Sequence, residues 1–97
     1  MIQENQFNLD APIGLASGFR LQWEKSQARY VLLYPEGMIT LNTTAAEILK
    51  LCDGYRSIST IISALHTQYK HGAILHLTED THHFLITALQ KGWLTVF

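Results

Sequence analysis

At Asn42 the spacing of apolar residues changes from every second position to every third or fourth, and it does not change back. A period of 2 marks a half-buried strand, and a period of 3.6 an amphipathic helix. Before the change, Phe19, Leu21 and Trp23 alternate with Arg20, Gln22 and Glu24, which predicts a strand over 19–24. A polar connection over 25–28 leads to a second predicted strand, Arg29–Tyr34, that is apolar on both faces. Val31 and Leu33 fall on one side, and Tyr30, Leu32 and Tyr34 on the other. Such a strand belongs in the middle of a sheet with its outer face covered, either by the N-terminal arm or by a second copy of the chain as a homodimer. Pro35, Glu36 and Gly37 read as a turn, and residues 38–41 as a short third strand. No strand signal follows. The third strand is therefore expected at a sheet edge, with free backbone donors and acceptors.

Three helices are expected beyond the change. Thr44 with Glu47 fits a capping box, and Asn42 competes for the cap. Ala45, Ile48, Leu49 and Cys52 make the first stripe, and Gly54 sits where a helix would end. Ser57 is expected to cap a second helix with the stripe Ile58, Ile61, Ile62, Leu65 and Tyr69. Residues 70–77 read as a loop. Thr78 is expected to cap a third helix, with Glu79 and Asp80 suited to its dipole. Its core stripe is Thr81, Phe84, Leu85 and Ala88, Gly92 stops it, and the apolar tail of Trp93, Leu94, Val96 and Phe97 packs back. Residues before 17 show no period. The expected fold is α+β: an irregular N-terminal arm over 1–17, then one domain over 18–97 with a three-stranded antiparallel sheet followed by three helices. These are the parts of a winged helix with the sheet placed first.

Composition removes several functions. The 47% of hydrophobic residues against 15% charged ones supports a packed core in a chain of 97 residues. No apolar run approaches the roughly 18 to 20 residues that span a bilayer. The N-terminus lacks the basic start and apolar stretch of a signal peptide, so a cytoplasmic protein with no membrane partner is expected. Seven Lys and Arg lie scattered against eight Asp and Glu, for a net charge of −1. Nucleic-acid affinity needs a basic cluster to neutralise phosphates, so no nucleic-acid partner is expected. A winged-helix DNA-binding regulator, the competing reading of the parts, would want a basic recognition helix. The third helix offers Glu79, Asp80 and one terminal Lys91.

Chemistry-bearing residues are few. Cys52 is the single cysteine, and it continues an apolar stripe, so it reads as a buried thiol. His66, His71 and His76 are five apart and miss the i, i+4 spacing that aims two ligands at one metal. His82 and His83 are adjacent and point about 100° apart on a helix. The expectation is no metal, no cofactor and no enzyme. The third helix does carry a second row, His82, Ile86 and Leu89, on the flank of its core stripe. Beside an open strand edge that row would make an apolar-walled groove, although single apolar residues on a surface are ordinary.

Three runs carry a family likeness: Arg20-Leu21-Gln22-Trp23-Glu24, Arg29-Tyr30-Val31-Leu32-Leu33-Tyr34-Pro35-Glu36-Gly37, and Ala45-Ala46-Glu47-Ile48-Leu49-Lys50-Leu51-Cys52-Asp53-Gly54. In order and without large gaps, residues 18 to 94 resemble the PqqD family, pyrroloquinoline quinone biosynthesis protein D. The pairing of Leu-Leu-x-Pro-Glu with Leu-Cys-Asp-Gly is the specific part. The chain departs from the family in its long polar arm and in Gly37, where a basic residue is expected. The resemblance implies a winged-helix-like peptide-recognition element that does no chemistry itself. It implies binding of the leader of the precursor peptide PqqA and its presentation to the radical SAM enzyme PqqE, which joins a glutamate and a tyrosine of that peptide. The iron–sulfur and SAM cofactors belong to that partner. In related elements the leader adds as a strand beside the third strand, in a groove closed by the third helix. On this chain that implies pairing by Met38, Ile39, Thr40 and Leu41, with a wall of His82, Ile86 and Leu89, and Leu85 bordering it from the core.

Overall fold

A computed structural model describes residues 8–69 and 77–97. Along the chain run β1 (Pro12–Leu15), β2 (Arg20–Glu24), β3 (Arg29–Tyr34), β4 (Gly37–Thr40), α1 (Thr43–Lys50), β5 (Asp53–Ser57), α2 (Ile58–Gln68), α3 (Leu77–Gln90) and β6 (Leu94–Val96). The strands make two antiparallel sheets, β2-β3-β4 and β5-β1-β6. The fold is mixed α and β as expected, but the order is not three strands followed by three helices. Strands precede, interrupt and follow the helices.

The first sheet follows from its alternation. Arg20–Leu33 through Glu24–Arg29 pair β2 with β3, and Val31–Thr40 through Tyr34–Gly37 pair β3 with β4. Val31 and Leu32 point to opposite faces and are both fully buried, as a central strand requires. On the inner face Phe19 stacks on Tyr34 at 5.6 Å, and Trp23 meets Tyr30 edge-to-face at 5.2 Å.

The second sheet corrects two expectations. The stretch read as an irregular arm supplies its central strand, β1, whose Ile13 is buried in the core. The C-terminal tail packs back as a strand, with Ile13–Val96, Gly14–Thr95 and Leu15–Leu94 in register. Its third strand, β5, occupies the segment beyond α1 that carried no strand signal.

The helices begin and end where local chemistry directs. Asn42, not Thr44, caps α1, its side chain accepting from the Ala45 N–H at 2.8 Å. Ser57 caps α2 as expected, accepting from Thr60 N–H at 3.1 Å. Thr78 lies inside the first turn of α3, which already runs at Leu77, and its hydroxyl meets His66 Nε2 at 2.6 Å. Of the expected loop over 70–77, Leu77 instead begins α3, and residues 70–76, with His71 and His76, lie outside the described residues. Gly92 ends α3 at φ +80°, with Gly92 N–H bonded to Leu89 O and Trp93 N–H to Ala88 O. That pair of bonds is a Schellman motif.

One core joins the layers. It unites Ile13 of β1, Leu32 of β3, Ile48 and Leu49 of α1, Ile58, Ile61 and Leu65 of α2, and Leu85 and Ala88 of α3.

Candidate functional site

The free edge of β4 is the first candidate. Leu41 N–H donates to Tyr30 O at 3.2 Å, which fixes the phase of the β3–β4 ladder. In an antiparallel pair the inward and outward backbone groups alternate. Ile39 therefore bonds towards β3, and the N–H and C=O of Met38 and Thr40 face away from it. β4 is an edge, and its outward groups lie on the side with no sheet neighbour among the described residues. The Met38 side chain is 48% exposed beside them. Of the four predicted pairing residues, Met38 and Thr40 are thus the ones that present hydrogen-bonding groups, while the Leu41 side chain is buried in the core.

The predicted wall is mostly closed. His82 is half-buried, but Ile86 is 2% exposed and Leu89 9%, and both belong to the core cluster with Leu85. The flanking row is a correction: α3 packs against both α2 and β6, so its buried face is wider than one stripe. Leu85 sits in the core, as expected.

Beyond β4 lies a cleft that sequence reasoning missed. Asn42, Thr44, Ala45 and Ile48 of the α1 end face Leu77, Asp80, Thr81 and Phe84 of α3 across a cavity of about 380 Å³. It opens two residues past the end of β4. The spacing puts Phe84 and Thr81 on the core stripe, and nothing in it separates a residue that fills a core from one that lines a gap in it. A second cleft, about 470 Å³, lies between the β2–β3 hairpin and α1. There Lys50 Nζ stands 4.4 Å over the Tyr30 ring and 3.1 Å from Glu47 Oε1. Glu47 is held ionised below its ordinary pKa by the Lys50 hydrogen bond and then by Gln68, which ties α1 to α2.

The thiol and the histidines gather no chemistry among the described residues. Cys52 is buried and donates weakly to Ile48 O at 3.4 Å, and burial pushes its pKa up to about 12. A thiol so far above neutral pH is no nucleophile. No group of three or more His, Cys, Asp or Glu side chains could hold a metal among the described residues.

A profile of the family described as Coenzyme PQQ synthesis protein D (PqqD) matches residues 29–94. The chain belongs to the PqqD family. A relative named PqqA binding protein, from Methylococcus capsulatus, is 45% identical over 85 residues, which cover 88% of each chain. Another of that name, from Klebsiella pneumoniae, is 42% identical and covers 86% of this chain and 88% of its own. The fold resembles the solution NMR structure of the PqqD truncation of Methylobacterium extorquens PqqCD, described as a functional, stand-alone RiPP recognition element. The TM-score is 0.72 at 28% identity, covering 97% of this chain and 99% of that one.

The structure also accounts for the Leu-Cys-Asp-Gly run of the PqqD likeness. Cys52 closes the core beneath α1, and Asp53 Oδ1 accepts from the Tyr55 and Arg56 N–H groups at 3.0 and 3.2 Å. Asp53 Oδ2 takes the Arg56 guanidinium, and Gly54 adopts φ +86°, which lets the chain enter β5. The run is a structural joint between α1 and the second sheet.

Proposed function

We propose that this PqqD-family protein binds the leader of the precursor peptide PqqA as an added strand on β4 and presents it to the radical SAM enzyme PqqE in the cytoplasm. It catalyses no step itself. The observation that carries this reading is the outward-facing backbone of Met38 and Thr40 on an edge that no strand among the described residues pairs with. Strand addition takes affinity and register from main-chain bonds and specificity from side-chain pockets. Met38, Ile39, Thr40 and Leu41 form the pairing strand. Of the wall, half-buried His82 is reachable with the helices as they stand, while Leu85, Ile86 and Leu89 lie in the core behind the surface of α3. The relatives named for PqqA binding and the recognition element with the same fold support the choice of peptide. No helix among the described residues is long and apolar enough to cross a membrane.

Titrating the protein with synthetic PqqA at 50 and 200 mM salt tests the reading. Main-chain pairing is screened little, so affinity should change less than about threefold. A flexible peptide loses roughly 2 to 5 kcal/mol on ordering, which sets the expected affinity in the sub-micromolar range. Absence of saturable binding, or a collapse with salt, would overturn the proposal.

A further inference from the structure

Thr81 lies on the buried stripe of α3, 1% exposed, and yet it carries a hydroxyl. Its Oγ1 has no hydrogen-bond partner among the described residues. A buried hydroxyl is nearly always paired, and a helical threonine ordinarily turns back to the carbonyl four residues earlier. Here it does not. Thr81 lines the α1–α3 cleft, whose volume of about 380 Å³ accommodates a large side chain. Ala45, Ile48, Leu77 and Phe84 make the apolar walls. Asp80 stands at the cleft, exposed and in no ion pair among the described residues.

We propose that the cleft is a side-chain pocket for the bound peptide, and that Thr81 selects there a residue with an apolar stem and a hydrogen-bond donor at its tip. The inference rests on the peptide-binding reading. Apolar walls favour a stem over a charged or short residue. The Asp80 carboxylate opposes an acidic tip and favours a phenol, amide or amine. The hydroxyl has no partner among the described residues, so a peptide donor that reaches it relieves an existing cost. That gain is realised only on binding, and it is what lets one buried group discriminate between ligands.

Replacing the hydroxyl by a methyl group of similar shape separates recognition from stability. T81V should raise the melting temperature of the free protein and weaken synthetic PqqA binding by about 5- to 10-fold. T81S, which keeps the hydroxyl, should bind within about twofold of wild type. Single replacement of each PqqA donor residue by its apolar counterpart, tyrosine by phenylalanine for example, should reveal one position whose loss costs affinity in wild type but not in T81V. That non-additivity marks direct coupling. If T81V fails to fold, T81A with the same peptide series gives the same coupling test. Wild-type protein that does not bind PqqA overturns the functional reading and this inference with it. Normal wild-type binding with an indifferent T81V, or with no coupled peptide position, overturns this inference alone.

Discussion

Gly14 and Gly54 lie against each other across β1 and β5, so closely that a β-carbon on Gly14 would stand 2.7 Å from the Gly54 nitrogen. The Phe97 ring closes the same spot at 2.9 Å. The register of β1 on β5 slips between the pairs Pro12–Ser57 and Gly14–Asp53, and Gly54 takes up the slip at positive φ. Gly14→Ala should therefore cost about 1 to 3 kcal/mol, because the opposing atom is backbone and cannot rotate aside. Urea denaturation checks it. An unchanged midpoint would mean that β1 is not packed on β5 in solution.

Asp53 gives the joint a pH dependence. Its carboxyl lies below the ordinary value, chiefly because of the Tyr55 N–H, with the Arg56 N–H and guanidinium adding to it. A depressed folded-state pKa stabilises above the unfolded value of roughly 3.9 and ceases to do so as pH falls through the lower folded value. Wild-type stability should thus fall on acidification below about pH 4 more than that of Asp53→Asn, which keeps the Oδ1 acceptor but not the charge. Parallel melting curves between pH 5 and 3 make the comparison, and equal slopes would remove Asp53 from the account.

Ile86 decides whether the flank of α3 is open. Buried among the core residues, it should cost roughly 2 to 4 kcal/mol on truncation to alanine, and Ile86→Asp should not fold, since it buries an unpaired charge. A folded Ile86→Asp protein with an unchanged melting curve would show that the flank is exposed after all.

The difference between what the residues announced and what they hid has a physical basis. β2, β3 and β4 were legible because each alternates and because neighbours in sequence are neighbours in the sheet. β1, β5 and β6 were not. Each has five residues or fewer, β1 contains a proline and a glycine, and their partners lie some forty or eighty residues apart. Ser57 and Gly92 declared helix limits through chemistry local to the chain, as did Asn42 once the α1 register was set. The edge character of β4 was expected from the absence of a further strand signal, yet β5 and β6 do follow; β4 is an edge because they pair with β1 in the second sheet. The burial of Ile86 and Leu89 depends on α2 and β6 arriving from two sides, which no period within α3 encodes.

Cys52 should be inert. With its pKa pushed to about 12, it should react with iodoacetamide at pH 8 far more slowly than a free thiol. Cys52→Ala should lower stability by about 1 kcal/mol and leave PqqA affinity unchanged. Lost binding in folded Cys52→Ala protein would contradict a purely structural role.

Amide hydrogen exchange on β4 tests strand addition most directly. In the free protein the Met38 and Thr40 amides should exchange fast and the Ile39 amide slowly, because of the three Ile39 alone bonds to β3. Saturation with PqqA should slow Met38 and Thr40 at least about tenfold, while Ile39 changes little. Unchanged exchange at Met38 and Thr40 in a fully bound sample would place the peptide elsewhere and contradict the account.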